Sequence, residues 1–263
     1  MRFSIITPTF NRQVAVQRSI ASSLAFARSV GESEVVVIDD ASTDGTVATI
    51  RGRYAAELTS GILKLGARQE NGGSTLAKAD GARNATGDWL IFLDSDDELL
   101  PEASLSIPGF IDMHPGPHVF FFRCTDQTGQ LIGPPVAPRL FSFADLLAGG
   151  TPGECLPVIS RTAFLQFPTD NDVLAFEFMA TLRIVKAHGS AMLSDAIARR
   201  YYMDGTDRLT SRAGNLRRAK QHALGFRRML DEFGPMMSFR KRMGIYARIL
   251  CYSVVAFCVP RRQ

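Results

Sequence analysis

Apolar runs alternate with apolar residues at helical spacing along the first part of the chain. Short segments rich in apolar residues predict buried strands at residues 3–7, 34–38, 61–65 and 89–93. Apolar residues that recur every three or four positions predict a helix at residues 13–29. Thr43 or Asp44 is a suitable N-cap for a helix that reaches about Glu57, and a further helix is predicted at residues 75–85, before the fourth strand. Strands alternating with helices predict an α/β fold with a doubly wound, mostly parallel central sheet flanked by helices.

The pattern changes after Pro101, where turn-rich segments interrupt the alternation. Further elements are predicted as strands at residues 118–124 and 157–160 and as a helix at residues 174–187. The chain of 263 residues has no internal repeat, and its length suffices for one large domain with an appendage. We therefore assign residues 101–210 to the same domain as residues 1–100.

Four acidic residues follow the apolar run at residues 89–93: Asp94, Asp96, Asp97 and Glu98. Ligands of open α/β sheets bind just beyond the carboxyl ends of the strands, and carboxylates crowded there repel one another unless a cation offsets them. Mg²⁺ suits such a site, because it prefers one or two carboxylates together with substrate oxygens. A solvated acidic turn is the alternative for an isolated Asp-x-Asp sequence.

Charge is distributed unevenly along a chain of ordinary globular composition, with 46% hydrophobic and 21% charged residues. The formal net charge is +4. Residues 1–198 contain 15 Lys and Arg against 22 Asp and Glu, a balance of −7, whereas residues 199–263 contain 15 against 4, a balance of +11. The basic segment predicts an anionic surface as its partner.

The cysteines and the hydropathy pattern indicate the compartment. The four cysteines form no Cys-x-x-Cys pair and have no histidine at ligand spacing, which is typical of thiols in a reducing compartment. The N-terminus lacks the pattern of a signal peptide, and no stretch reaches the roughly 18 apolar residues that a membrane span requires. These observations predict a cytoplasmic protein.

Five separated segments resemble, in the same order, the family 2 glycosyltransferases. They are Ile5–Arg12, Val37–Thr46, the glycine-bearing stretch 71–87, Asp94–Asp97 and the stretch 176–184. The resemblance implies a GT-A fold that transfers a sugar from a nucleoside diphosphate, expected to be UDP, with inversion. It divides residues 1–210 into a nucleotide-sugar half, 1–100, and an acceptor half, 101–210. Residues 211–263 are then a basic amphipathic helical tail.

The resemblance assigns the nucleotide to the first three segments. Pro8 and Phe10 lie where the family holds the base, and Phe10 would stack on it, with a buried core aromatic as the alternative. Asp40 would accept hydrogen bonds from the base or the ribose. Counted from Asn71, Lys78 occupies the place of the family's nucleotide-facing arginine, so that the charge is kept without the fork geometry.

The fourth segment implies the metal ligands. Asp96 takes the position of the family's Mn²⁺ or Mg²⁺ ligand. Asp94 is expected near the ribose and as a second ligand, with Ser95 between them in the donor site. Asp97 and Glu98 are expected to be acids at a helix N-terminus or solvated residues.

The fifth segment implies the catalytic base. Leu182-Arg183-Ile184 matches a triplet of the family, and Glu177 falls on the position of the family's catalytic aspartate. Phe176 replaces the partner acid. Apolar neighbours, Leu174 among them, are expected to desolvate the Glu177 carboxylate and make it a useful base. A glutamate on a helix surface is the alternative.

The closing segment, residues 200–210, lacks a histidine that the family often carries. Arg208 is expected to reach the diphosphate from this segment, with a surface role as the alternative. Beyond it, helices are predicted at residues 215–233 and 236–259. A basic apolar helix fits an anionic cytoplasmic leaflet better than a membrane span, with packing on the body or in a dimer as the alternative. No recognised nucleic-acid module accompanies the charge, so nucleic acid is not expected as a partner.

The sequence therefore predicts an inverting, metal-dependent glycosyltransferase. It would move one sugar to a hydroxyl of a glycan or a polyprenyl-linked saccharide in cell-surface polysaccharide synthesis. Polymerisation is not expected, since processive members carry a Gln-x-x-Arg-Trp motif and Trp89 is the only tryptophan. Two alternatives are a catalytically degenerate fold used as a scaffold and a sugar nucleotidyltransferase, although no glycine-rich triphosphate loop occurs near the N-terminus.

Overall fold

The computed structural model describes residues 1–170, 172–173, 176–202 and 218–258. The strands are β1 Phe3–Thr9, β2 Glu34–Asp39, β3 Leu63–Ala67, β4 Trp89–Phe92, β5 Glu98–Leu99, β6 Val119–Thr125, β7 Arg139–Ser142, β8 Cys155–Ser160 and β9 Ser190–Arg200. The helices are α1 Ala15–Val30, α2 Thr46–Arg53, α3 Ala55–Ser60, α4 Ser74–Asn84, α5 Ala103–Met113, α6 Phe143–Gly149, α7 Arg161–Gln166, α8 Phe178–His188, α9 Ala219–Phe233 and α10 Phe239–Cys258. A 3-10 turn, Gly234–Met236, joins the last two helices.

The described strands form one nine-stranded sheet in the order β3-β2-β1-β4-β8-β6-β9-β5, with β7 also paired to β9. The strands β3, β2, β1 and β4 run parallel. β8 runs antiparallel to both β4 and β6, and β6 runs parallel to β9. The two halves of the chain therefore share one sheet. The carboxyl ends of β1, β2 and β4 lie at the same edge, which is where open α/β sheets bind ligands.

Apolar side chains cover both faces of the sheet, since successive residues of a strand point to opposite faces. Phe3 and Ile5 of β1 belong to a core with α1 and α5, whereas Ile6 belongs to a second core with α4 and α8. α4 approaches β1 closely at Gly81, where an added Cβ would collide with Ile6. The small residue therefore allows α4 to lie tightly against the sheet and to hold its N-terminal turn at the ligand-binding edge.

The predicted strands and helices of the first half are confirmed, with two differences. The helix predicted at residues 43–57 is divided into α2 and α3, because Tyr54 leaves the helical conformation at φ −114° and ψ 31°. Its hydroxyl instead donates to the Gln17 carbonyl at 3.1 Å. β1 extends beyond the predicted residue 7 to Thr9, so that Pro8 lies inside the strand. β4 pairs with β1 only as far as Ile6, so a proline beyond that point interrupts no pairing with β4.

The second half contains elements that the pattern of residues did not predict. α5 includes Pro108, a residue that normally argues against a helix interior. α6, α7 and β7 in this half, and β5 at the end of the first half, are each too short for their periodicity to be visible. The helix predicted at residues 174–187 begins at Phe178. Its predicted first residue, Leu174, lies outside the described residues.

The C-terminal helices α9 and α10 pack against the body. Their buried apolar residues share one core with α8: Leu230, Phe233, Met237 and Ile245. Arg183 of α8 donates to both carboxylate oxygens of Glu232, at 2.7 to 3.0 Å, and to Asp170 at 2.9 Å. These helices therefore pack on the body, as the alternative interpretation of the tail proposed. Among the described helices, none is long and apolar enough to cross a membrane.

Candidate active site

The loops after β1 and β2 are connected by Asn11. Its backbone N–H donates to Ser42 Oγ at 2.8 Å, and its side-chain oxygen accepts the N–H of Thr43 at 2.8 Å. The neighbouring Phe10 is 42% exposed, so the alternative of a buried core aromatic does not hold. Pro8 is buried within β1. Phe10 is therefore available for stacking, while the base contacts of both residues stay predictions.

Asp40 follows β2 and organises the glycine-bearing loop before α4. Its carboxylate accepts the backbone N–H groups of Gly72 at 2.9 Å and Gly73 at 2.6 Å, and it pairs with Arg68 at 2.9 Å. Gly73 has a φ of 87°, a backbone conformation that residues other than glycine rarely adopt. The Asp40 side chain thus supports this loop, and its contact with the base or ribose stays a prediction.

Lys78, Asp94 and Glu177 meet beyond the carboxyl end of β4. Lys78 Nζ lies 2.8 Å from Asp94 Oδ1 and 3.9 Å from Glu177 Oε1. The lysine comes from α4, the aspartate follows β4, and the glutamate precedes α8. Three of the predicted site residues, distant in the chain, are therefore neighbours in space. We call this group the charged cluster.

Mutual attraction determines the ionisation of Lys78 and Asp94 in the charged cluster. Burial opposes the charge of Lys78, but the carboxylates of Asp94 and Glu177 outweigh that effect and raise the lysine pKa above its usual value. Burial also opposes the charge of Asp94, yet Lys78 lowers the pKa of this carboxyl below its usual range. At neutral pH the site therefore holds an ammonium ion beside an ionised carboxylate. Such an ammonium can bind a phosphate or orient a carboxylate.

Glu177 lies at the N-cap position of α8 and not inside the helix. Its Oε1 accepts a hydrogen bond from Thr75 Oγ1 at 3.0 Å, and 35% of its side chain is exposed. The expectation that Glu177 is a lone carboxylate surrounded by apolar neighbours is therefore wrong. Phe176 packs instead on Phe226 of α9, with ring centroids 5.0 Å apart, and Leu174 is outside the described residues. The alternative of a glutamate on a helix surface is not correct either, because the Glu177 carboxylate faces Thr75 and Lys78.

Asp96 and Ser95 lie in the turn after β4. The backbone carbonyl of Asp96 accepts a hydrogen bond from Arg18 at 2.7 Å, whereas its carboxylate accepts none from the residues that the structure describes. Ser95 is nearly buried. Within the described ranges, no group of three or more His, Cys, Asp or Glu residues could hold a metal ion. A divalent cation at this turn would therefore need substrate oxygens besides the carboxylates, which is the coordination that Mg²⁺ favours.

The expectation that Asp97 and Glu98 are solvated or begin a helix is wrong. Asp97 is completely buried, accepts the N–H of Tyr202 at 3.2 Å and lies 3.4 Å from Arg199. Burial raises the pKa of Asp97 to about 7, with Arg199 opposing the rise and two neighbouring acids adding to it. Glu98 belongs to β5, pairs with Arg200 at 3.2 Å and accepts the Tyr202 hydroxyl at 3.0 Å. These contacts anchor the acidic turn to β9.

Several residues that hold the site together were not found from the sequence. In the sequence Arg199 belongs to the basic segment, residues 199–263. In the structure Arg199 lies in β9, is 3% exposed and donates to Glu154 at 2.6 Å. Arg18 of α1 lies 3.4 Å from the centre of the Tyr202 ring. One signal was present, because an arginine within an apolar strand needs a buried acid as partner. Arg208 lies outside the described residues, so its predicted contact with the diphosphate stays a prediction.

Replacing Lys78 by Met is expected to weaken the binding of a nucleoside diphosphate. A hydrogen bond to a charged group contributes about 1.5–3 kcal/mol, so the dissociation constant should rise about tenfold to a hundredfold. Isothermal titration calorimetry with UDP and Mn²⁺ measures this change. Lys64→Met is the matched control, because Lys64 pairs with Glu34 outside the charged cluster. Equal affinities in the two variants would contradict a role of Lys78 in the donor site.

Solved glycosyltransferases share this fold. The structure of Staphylococcus aureus TarS 1-349 in complex with UDP-GlcNAc aligns with a TM-score of 0.68, covering 96% of this chain and 72% of that chain at 20% identity. The mannosyltransferase PcManGT from Pyrobaculum calidifontis, in complex with GDP-Man and Mn²⁺, aligns with a TM-score of 0.64, covering 98% of this chain and 76% of that chain at 17% identity. The architecture is therefore that of the GT-A glycosyltransferases.

Sequence comparisons identify the family. The family model described as Glycosyl transferase family 2 matches residues 4–119. An uncharacterized glycosyltransferase of Haemophilus influenzae is 34% identical over 191 residues, which are 70% of this chain and 72% of that protein. The poly(ribitol-phosphate) beta-N-acetylglucosaminyltransferase TarS of Staphylococcus aureus is 32% identical over 114 residues, which are 43% of this chain but only 19% of TarS. The chain belongs to the family 2 glycosyltransferases.

Proposed function

We propose that this protein is an inverting, metal-dependent glycosyltransferase that moves a single sugar from a nucleoside diphosphate to an acceptor hydroxyl. The observation that carries the proposal is the charged cluster. Lys78, Asp94 and Glu177 come from three different parts of the chain and lie within ion-pair distance at the ligand-binding edge of the sheet. A cation beside two carboxylates is suited to binding a diphosphate and to taking a proton.

The donor is proposed to be a UDP-sugar. TarS, which shares the fold, was solved in complex with UDP-GlcNAc. Phe10 is exposed at the end of β1 and would stack on the base. Asp40, Ser95 and Arg208 would complete the nucleotide site together with Lys78. In this arrangement residues 1–100 hold the donor and residues 101–210 hold the acceptor.

Asp96 and Asp94 would hold the divalent metal, Mn²⁺ or Mg²⁺. The fit is supported by the Asp96 carboxylate, which accepts no hydrogen bond from the described part of the chain. PcManGT, of the same fold, was solved with Mn²⁺. Asp94 is paired with Lys78, so Asp96 is the carboxylate with more capacity for a metal. When bound, such an ion stabilises the negative charge that develops on the departing diphosphate.

Glu177 would act as the general base. One of its oxygens is held by the Thr75 hydroxyl, which leaves Oε2 to accept the proton of an acceptor hydroxyl. The deprotonated acceptor oxygen forms a bond to the anomeric carbon while the bond from that carbon to the diphosphate oxygen breaks. A single displacement of this kind inverts the anomeric configuration. Lys78 Nζ lies 3.9 Å from the other oxygen, Oε1.

The acceptor is proposed to be a glycan or a polyprenyl-linked saccharide in cell-surface polysaccharide synthesis. TarS is a poly(ribitol-phosphate) beta-N-acetylglucosaminyltransferase, which supports an acceptor of this class. The match covers only 19% of TarS, so the acceptor does not follow from the match alone. The proposed location is the cytoplasm, with peripheral attachment to the cytoplasmic face of the membrane through the tail, residues 211–263.

Two other functions fit the observations less well. A degenerate scaffold is suggested by Lys78, by Phe176 and by the absent histidine, yet a scaffold has no need of a charged cluster. A sugar nucleotidyltransferase would require a basic, glycine-rich triphosphate loop after β1. The segment after β1 instead contains Phe10 and Asn11 and has no glycine.

A donor screen tests the proposal. The purified protein with Mn²⁺ should hydrolyse one nucleotide-sugar slowly, and with an acceptor saccharide it should yield a product heavier by one sugar in mass spectrometry. A long homopolymer made from one donor would contradict transfer of a single sugar. Pyrophosphate release from a sugar phosphate and a nucleoside triphosphate would indicate the nucleotidyltransferase. Absence of both donor turnover and donor binding would indicate the scaffold.

A further inference from the structure

The last helix, α10, carries large apolar residues on its solvent-facing side. They recur at helical spacing and are each at least 50% exposed: Phe239, Met243, Tyr246, Leu250, Val254 and Phe257. Intervals of three and four residues place them on one face of the helix. We call this face the outer stripe. A contiguous exposed apolar surface of this kind marks an interaction site.

The opposite face of α10 is attached to the body. Ile245 is buried in the core that α8 and α9 share, and Tyr252 stacks on His222 with ring centroids 4.9 Å apart. Lys241 donates to the carbonyls of Leu147 and Ala148 at the end of α6. The helix is therefore held in place from one side. The outer stripe points away from that attachment and needs no rearrangement to meet a partner.

Charge around the outer stripe has one sign. Residues 233–263 contain six Lys and Arg and no Asp or Glu. Arg240 and Arg242 lie next to the first residues of the stripe. Arg240 also lines a groove of about 610 Å³ between α6 and α10, together with Lys241 and Arg248. The helix that carries the stripe therefore presents positive charge that attracts anions and contributes no acid of its own.

This charge distribution selects between two occupants of the outer stripe. A second copy of the chain would bring arginines against arginines, because the segment has no acid to offset them. An anionic bilayer meets both requirements, since its acyl region accepts the apolar side chains and its phosphates attract the arginines. A helix of 20 residues is about 30 Å long, enough for the stripe to lie along the surface.

We propose that the outer stripe of α10 is a preformed membrane contact that lies in the headgroup region of an anionic bilayer. The apolar side chains enter the boundary with the acyl chains, while Arg240 and Arg242 bind lipid phosphates. The contact deepens the proposed function by naming the surface that brings the enzyme to a polyprenyl-linked acceptor. Its test needs neither donor nor acceptor, so the two proposals can fail separately.

Vesicle sedimentation tests the apolar part of the contact. One set of vesicles is an equimolar mixture of phosphatidylcholine and phosphatidylglycerol, and the other is phosphatidylcholine alone. The full chain should bind the mixed, anionic vesicles and should bind the phosphatidylcholine vesicles much more weakly. Leu250→Glu should reduce partitioning on the order of tenfold or more, because it removes an apolar side chain that would enter the bilayer and adds a negative charge. Leu105→Glu, at an exposed leucine of α5, is the matched control and should bind as the original chain does.

The paired variant Arg240→Gln and Arg242→Gln tests the charge. Each arginine contributes about 1 kcal/mol near an anionic surface, so two substitutions should also weaken partitioning on the order of tenfold, and added salt should have the same effect. Should Leu250→Glu fail to fold, as judged by circular dichroism, this pair and Phe257→Glu carry the test.

Three results would overturn the membrane proposal. The first is equal binding to both kinds of vesicle, and the second is unchanged binding in all stripe and arginine variants. The third is a concentration-dependent dimer, seen in sedimentation equilibrium, that Leu250→Glu abolishes in a protein that binds no vesicles. That third result would assign the stripe to a second copy of the chain.

Discussion

Replacing Glu177 by Gln is expected to slow sugar transfer about 10²- to 10⁴-fold, the usual cost of removing a general base. Glutamine retains the size of the side chain and an oxygen that can accept the Thr75 hydrogen bond, but it cannot take a proton. Donor binding should survive, because it is assigned to Lys78 and to the aspartates at positions 40, 94 and 96. Single-turnover transfer measured beside UDP titration separates the two effects.

The control for this prediction is Glu102→Gln, at an exposed position outside the charged cluster. Near-normal transfer by Glu177→Gln would show that another group is the base. The carboxylates just upstream are poor substitutes. Asp170 pairs with Arg183 at 2.9 Å, and Asp172 pairs with Arg228 at 2.6 Å, so both are engaged where α9 docks on the body.

Replacing Asp96 by Ala is expected to abolish turnover and to remove the Mn²⁺ dependence of UDP binding. The reason is that Asp96 has the carboxylate most available for a metal, while Asp94 is held by Lys78. Calorimetric titration of UDP with Mn²⁺ and with EDTA measures the dependence directly. In the original chain the two titrations should differ, and in the variant they should coincide.

Asp112→Ala is the control for the metal prediction, since Asp112 is an exposed acid of α5 away from the acidic turn. Metal-dependent UDP binding that persists in Asp96→Ala would place the metal elsewhere. Loss of structure is not expected from the substitution, because no described residue donates to the Asp96 carboxylate. A melting temperature close to that of the original chain checks this point.

The acidic turn illustrates how far contiguous sequence can be interpreted. Four acids after an apolar run predicted a charged site at the end of a strand, and Asp94 lies at such a site. The same run suggested that Asp97 was solvated, whereas it is fully buried beside Arg199. Burial of an acid depends on a partner from another strand, here β9, and nothing within the run identifies that partner.

The tail was likewise predicted only in part from the sequence. Its charge and helical spacing were visible in the sequence and predicted an amphipathic helix with an anionic partner. The sequence could not decide which face of α10 meets the body. In the structure Ile245 faces inward and Leu250 faces outward, because α9 and α6 occupy only one side of the helix. Phe176, which replaces an acid of the family pattern, contributes to the docking of α9.

The sequence by itself determined the elements of the donor half, the acidic turn after β4 and the family. Each of these depends on periodicity or on residues close together in the chain. Only the tertiary structure decided that Lys78, Asp94 and Glu177 form one cluster, that Thr75 holds the proposed base and that Arg199 lies beside Asp97 of the acidic turn. These contacts join segments far apart in the chain, and packing of helices on the sheet brings them together.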